Sequence, residues 1–151
     1  MLARFNRNTY LMIMISIQVG GLWAAHFKMK HMRARPGQVY PSLNPMIPTP
    51  RHPSYPSGHA IQAFLTKMTV GTAVPAMFDA LHNLAERIAV NRERARVHYP
   101  SDTQASRDCV EAVYRVLTRV EGFAEISAAV TEEFRGIERL GIVPDSRHSR
   151  K

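Results

Sequence analysis

Three stretches of this sequence put basic or titratable side chains where a helix end would aim them at a ligand. Pro56-Ser57-Gly58-His59 stands where a proline-rich loop gives way to an apolar helical pattern. The first turn of a helix carries N–H groups without intrahelical acceptors and the positive end of the helix dipole, and glycine lets a ligand approach the backbone closely. Ser57 adds a hydroxyl and His59 a proton that moves near neutral pH. Taken alone, the stretch also reads as a serine cap beside an exposed histidine. His98-Tyr99-Pro100-Ser101-Asp102 marks another helix start, with Pro100 suited to the first turn. A carboxylate four residues after His98 can reach back to the imidazole, fix its tautomer and make the other ring nitrogen a better nucleophile or ligand. The plainer alternative is a capping Ser101 or Asp102 next to a passive histidine. Arg92 falls four residues after Ile88 on an apolar stripe and so aims inward, whereas Arg94 and Arg96 point elsewhere. A guanidinium is never neutral in practice, so its burial demands a carboxylate or a bound anion, unless the side chain snorkels to water.

These pieces occur in a fixed order. Lys28 is followed after six residues by Arg35-Pro36, then comes the Pro-Ser-Gly-His tetrad, and then Arg92, with His98 after five residues and Asp102 after three more. The three-part pattern, spanning Lys28 to Asp102, resembles the type-2 phosphatidic acid phosphatase and vanadium haloperoxidase superfamily. The resemblance implies a helical bundle with its site at helix ends. It implies that Lys28, Arg35 and Arg92 bind the oxygens of an anion together with Ser57 and the Gly58 amide. It further implies that His59 protonates the leaving group, that His98 attacks phosphorus to give a phosphohistidine, and that Asp102 orients His98. In a haloperoxidase, His98 would be the single protein ligand of vanadate; in a phosphatase no cofactor is implied. Elementary electrostatics agrees, because charge accumulates on equatorial oxygens during phosphoryl transfer and three cations plus amides oppose it.

The chain departs from the family pattern at Asn91, where a serine is common; asparagine still donates and accepts, so tuning rather than loss is expected. Family members also carry helices before the first motif, which leaves three readings here: a fragment, a minimal version, or a bundle completed by a partner subunit. His52 resembles bromide-oxidising relatives, with a halide-site or supporting role, or is a solvated loop histidine. His82 and Glu86, four apart, are too few to hold a metal and read as an exposed pair, so no protein metal site is expected. A lone Cys109 reads as a small helix residue and forms no internal disulfide.

The elements that must position these residues read as all-α: a bundle of about five helices with a long proline-rich loop and the active site at helix ends. A first helix is predicted from about Thr9 to Arg33, with Thr9 as cap. Pro36, Pro41, Pro45, Pro48, Pro50, Pro53 and Pro56 then exclude helix or central strand. A second helix begins near Ser57 and ends before Pro75. A third shows Met77, Leu81, Leu84 and Ile88 at steps of four, three and four, the seam of a packed face. A fourth starts after Pro100 with a stripe of Val110, Val113, Leu117 and Val120. A fifth carries Phe123, Ile126, Val130, Phe134, Ile137 and Leu140 and stops at Gly141. Residues 1–142 form one domain, possessing little room ahead of the first motif, and 143–151 a polar basic tail.

With 151 residues, 45% hydrophobic and 21% charged, the chain falls in the ordinary globular range. Twenty Lys and Arg against 12 Asp and Glu give a formal charge of +8, which concentrates anions around it. The apolar run from Tyr10 to Phe27 after Arg4 and Arg7 looks like a signal peptide or a single membrane span. Ser16, Gln18 and His26 interrupt it, no small-residue cleavage site precedes Lys28, and a buried core helix is favoured. A cytoplasmic location follows, with periplasmic or membrane-associated ones open.

The leading functional expectation is a hydrolase of phosphate monoesters or lipid phosphates. The runner-up is a vanadium-dependent haloperoxidase, suggested by the stretch from His52 to Ala60. A non-catalytic anion-binding or interaction module is the third, drawing on the positive charge. Expected partners are a small-molecule or lipid phosphate, with nucleic acid disfavoured, a membrane open, and a homo-oligomer as one way to complete the bundle.

Overall fold

The structure, a computed structural model, describes residues 6–139. Helix α1 spans Arg7–His31, and a proline-rich segment with one helical turn at Pro36–Val39 leads to α2, Gly58–Ala73. Helices α3 (Phe78–Arg94), α4 (Pro100–Leu117) and α5 (Phe123–Arg139) follow. Among the described residues there is no strand, and the architecture is the all-α bundle that the sequence predicts. Leu140, Gly141 and the tail 143–151 lie outside the described residues.

Helix α2 is central and packs against α1, α3, α4 and α5. It buries Ala60, Ile61, Phe64, Leu65, Thr69 and Val70, so apolar positions recur around most of its circumference, as a helix enclosed by neighbours requires. Leu65 is fully enclosed, and truncating it to alanine would cost about 2–5 kcal/mol.

Helix α1 corrects the expectation of a buried core helix. Its packed face consists of Thr9, Met12, Ser16, Gly20, Ala24 and Lys28, in which only Met12 and Ala24 are apolar and most of the rest are small or polar. A Cβ on Gly20 would stand 3.2 Å from Cα of Gln62, so glycine lets α1 and α2 approach closely there. Ser16 donates to the Met12 carbonyl at 2.8 Å and its Oγ lies 2.8 Å from the Thr69 hydroxyl, which satisfies both groups in the interface. The opposite face is open because α1 has helices only on one side: Leu22 and Met29 are each 70% exposed. Only 22% of its most apolar window is buried, although it is long and apolar enough to cross a membrane.

The start and stop of α1 also differ from expectation. Thr9 lies inside the helix, and the cap comes from α5: the Glu133 carboxylate accepts from the Asn8 and Thr9 amides at 2.7 and 2.9 Å and from both side chains. A carboxylate at a helix N-terminus also meets the positive dipole end. The helix stops at His31 rather than Arg33, because Met32 turns left-handed (φ 46°) and returns its N–H to the Lys28 carbonyl at 2.9 Å.

Helix α3 buries Ala85 and Ala89 against α2, while Leu84, predicted as part of the packed seam, is 43% exposed. Met77, Leu81 and Ile88 are only half-buried. Small alanines take the close contact and leave the larger residues of that stripe off to one side. In α4, Val110, Val113 and Leu117 are buried as predicted, but Val120 lies past the helix end and is 54% exposed. In α5, Phe123 and Val130 enter the core with Ile126 and Phe134 packed beside them.

Candidate active site

The C-terminal ends of α1 and α3 and the N-terminal ends of α2 and α4 converge at one end of the bundle. The proline-rich segment covers them, and a cavity of about 370 Å³ lies between. Its wall includes Lys28, Arg35, Gly58, His59, Arg92 and His98, drawn from every part of the three-part motif, together with His52. Among the described residues no Asp or Glu lines it. The α2 N-terminus adds backbone N–H groups without intrahelical acceptors, while its dipole and that of α4 are offset by the C-terminal ends of α1 and α3, so the side-chain cations and these amides are what suit the cavity to an anion.

His98 sits in the turn before α4, 3% exposed. Its Nδ1 lies 3.0 Å from Asp102 Oδ2, one helical turn on, and its Nε2 lies 3.3 Å from Arg35 Nη1. An arginine only donates and a carboxylate only accepts, so the ring carries its proton on Nδ1 and its lone pair on Nε2. Burial pushes His98 down to about 4, against the opposing hydrogen bond it donates to Asp102. The imidazole is therefore neutral near pH 7, and its unprotonated nitrogen is the one capped by Arg35 in the empty site.

Asp102 is fully buried. Burial pushes its pKa up, but hydrogen bonds from His98, the Ser54 hydroxyl and the Tyr99 amide outweigh that and hold it below the usual carboxylate range. Arg33 completes its shell, donating to Oδ1 at 2.8 Å while its guanidinium lies 4.1 Å from the Tyr99 ring centroid. Asp102 thus stands behind His98 rather than in the cavity, the orienting place expected of it. Ser54 and Arg33 were not legible as site residues. Their contacts to Asp102 span 48 and 69 positions, and no local spacing signals a partner that distant.

The three cations divide in a way the sequence does not suggest. Lys28 Nζ donates to the carbonyls of Pro53, Ser54 and Pro56 at 2.7, 2.8 and 2.6 Å, committing all three ammonium protons to the proline-rich segment. Burial, then the neighbouring Arg35, lowers it to about 8. Arg35, fully buried, donates through Nε to the His52 carbonyl at 2.9 Å and through Nη1 to the Val97 carbonyl at 2.6 Å. Its Nη2 faces the His52 ring and the Pro53 carbonyl. Direct anion binding, expected of both, therefore requires a carbonyl to be exchanged for the anion; as they stand they are charged supports of the loop. Arg92 is different. The side chain is half-buried, and its buried Nε has no partner among the described residues, which leaves an N–H that an anion could satisfy.

Ser57 occupies the cap position of α2 but makes no side-chain cap, and its buried Oγ has no partner. It is not part of the cavity wall; its backbone instead ties α2 to α4, accepting from Ser106 Oγ at 3.0 Å. Gly58, next in sequence, does line the cavity, and its amide belongs to the helix turn that lacks intrahelical acceptors. His59 is exposed at the rim. Partial desolvation lowers its pKa, and Arg92, His52, Lys28 and Arg35 lower it further. The empty site thus holds the His59 proton less tightly than a free histidine would. Beyond desolvation, the lowering comes from the same positive field that attracts the anion, and a bound phosphate dianion would oppose that part.

His52 lines the cavity with its Nδ1 3.2 Å from both Arg35 Nη2 and the Pro53 carbonyl. Its place beside Arg35 fits a supporting role. His82 is exposed, while Glu86 pairs with Arg107 at 2.6 Å rather than with His82. Cys109 is half-buried with its thiol pushed up to about 11 by burial, as befits a small helix residue. No known family model matches this chain, and no curated protein matches it significantly. The likeness stated above therefore stands on the motif residues themselves.

Proposed function

We propose that this chain is a metal-independent phosphatase that hydrolyses phosphate monoesters or lipid phosphates through a phosphohistidine intermediate. The observation that carries the reading is the His98 ring, proton-bound to Asp102 on one side and presenting a lone pair to a cation-lined cavity on the other. A wall of arginines, lysine and histidines, with no carboxylate among the described residues, repels a divalent metal and attracts a phosphate.

In this reading, Arg92 and the Gly58 amide take the non-bridging oxygens, with Lys28 and Arg35 supplying positive charge from behind. His98 Nε2 attacks phosphorus, and the Nδ1 proton stays hydrogen-bonded to Asp102 as positive charge develops on the ring. The P–O bond to the alcohol breaks, and the His59 imidazolium gives its proton to the departing oxygen. Neutral His59 then takes a proton from water, the hydroxide attacks phosphorus, and the bond to His98 breaks to release phosphate. Vanadate-sensitive turnover of p-nitrophenyl phosphate by the intact chain, abolished in a folded His98→Ala variant, is the expected result. Equal turnover in the variant, or none in a folded wild type, would contradict it.

His52 favours a second reading, a vanadium-dependent bromoperoxidase, because its imidazole abuts Arg35 on the cavity wall. Arg92 and Gly58 would hold vanadate there and His98 would ligate it; the unpartnered Arg92 Nε fits that demand. Bound vanadate would activate peroxide toward halide. Peroxide-dependent bromination after vanadate loading supports this reading, and phosphatase activity without bromination eliminates it.

A further inference from the structure

We infer that the alcohol half of the substrate lies in an apolar groove between α1, α2 and α3, so that the preferred esters are those of unbranched apolar alcohols. This deepens the phosphatase reading and rests on it.

The groove, about 280 Å³, is walled by Ile13 and Ile17 of α1, Ala63 of α2, and Leu81, Leu84 and Ile88 of α3. It adjoins the phosphate cavity: His59 and Gln62 line both. His59 is the group that hands a proton to the departing oxygen in the proposed reaction. An alcohol leaving beside His59 therefore departs at the mouth of the groove rather than into bulk water.

The shape suits an extended chain. On α2 the wall positions His59, Gln62, Ala63 and Thr66 lie one turn apart on one face, and on α3 Leu81 to Ile88 cover two turns. Two helical turns give a trough of about 10 Å. Gln62 donates its amide to the Ile17 carbonyl at 3.1 Å, which fixes it against α1 and leaves the apolar residues as the exposed wall. Among the described residues no carboxylate lines the groove, so nothing there repels a phosphate ester; Thr66 and Lys67 put polar atoms on its wall two helical turns from His59, beyond the apolar stretch.

The same stripe explains a discrepancy in the fold. Leu81, Leu84 and Ile88 have the spacing of a packed seam, yet all three line the groove: Leu81 and Ile88 are only half-buried and Leu84 is 43% exposed. Apolar side chains so arranged gain by being covered, and a chain anchored through its phosphate at His59 would cover them.

The test is hydrolysis of methyl, butyl, hexyl and octyl phosphate by the full chain, with p-nitrophenyl phosphate and His98→Ala as reference. The expected kcat/KM rises about three-fold to four-fold per added methylene until the groove is full, carried by KM. Leu84→Asp, on the exposed rim, and Ala63→Phe, which fills the trough, both flatten that rise while circular dichroism shows the helices intact. His98-dependent turnover of p-nitrophenyl phosphate with a flat alkyl series overturns the groove assignment and leaves the phosphatase standing. An unaltered rise in both variants overturns it too, as does a flat series in a dimer that Leu84→Asp dissociates. No His98-dependent hydrolysis of any ester overturns both proposals.

Discussion

Arg35 Nη1 points at His98 Nε2 across 3.3 Å while Asp102 holds the opposite ring nitrogen at 3.0 Å. The first contact sets which nitrogen is unprotonated, and the second keeps the proton on the other. Arg35 also caps the lone pair in the empty site, so a phosphate that draws the guanidinium toward its oxygens would expose the nucleophile as it binds.

Asp102→Asn removes the acceptor that selects this tautomer, and its amide can turn an N–H toward the ring. The variant is expected to lose on the order of 10³-fold in kcat with little change in KM. Steady-state kinetics on a sample with wild-type helicity checks this; a loss confined to KM would contradict it.

The pH profile of kcat/KM follows from the two imidazoles. His98 must be neutral, so activity falls as pH drops through about 4. His59 must be protonated, and in the free protein its pKa lies below 6.5, so activity also falls before neutrality. The expected curve is a bell with an acidic optimum, and His59→Gln removes its alkaline limb. A profile rising through pH 7 would contradict the assignment.

Acid should also weaken the fold. The His98 pKa is depressed from 6.5 to about 4, so the unfolded chain binds the extra proton and stability is lost as pH falls from 6.5 toward 4. The size is roughly 3 kcal/mol, from a shift of that extent in a buried group. Thermal melts across this window, steeper for the wild type than for His98→Gln, are the measurement.

Lys28 and Arg92 should separate in opposite senses. Lys28→Met leaves three buried carbonyl partners unanswered and is expected to destabilise the chain by about 3 kcal/mol or more. Arg92→Met removes a partnerless buried Nε and is expected to leave the melting temperature equal or higher, while phosphate and vanadate lose affinity by at least tenfold. Urea melts and vanadate inhibition constants on both variants distinguish an anion ligand from a structural cation.

Glu133→Ala tests the clamp between α5 and α1. It leaves the Asn8 and Thr9 amides without their acceptor, at a cost of roughly 1–3 kcal/mol, with kcat unchanged because the clamp lies at residues 8 and 9, far along α1 from Lys28. Denaturant melts and kinetics on one preparation check both halves.

The helices were legible because α4 and α5 carry apolar stripes at helical period and proline brackets the loops. The motif residues were legible because Gly58, His98 and Asp102 sit at helix starts, where sequence and chemistry coincide. The packing of α1 was not: its apolar residues surround the helix, while the face that docks is marked by Ser16, Gly20 and Lys28, which hydrophobicity does not rank. Nor did spacing show that Lys28 is tied to the proline-rich segment, or that Ser54 and Arg33 hold Asp102, since these contacts exist only once the chain has closed on itself.

The most direct measurement is acid-free trapping of the protein during turnover of a phosphate ester, followed by peptide mapping. The account predicts an acid-labile, base-stable phosphate on the peptide containing His98, absent in His98→Ala and accumulating in His59→Ala. Sustained hydrolysis with no phosphorylated histidine, or with the label on another residue, would contradict it.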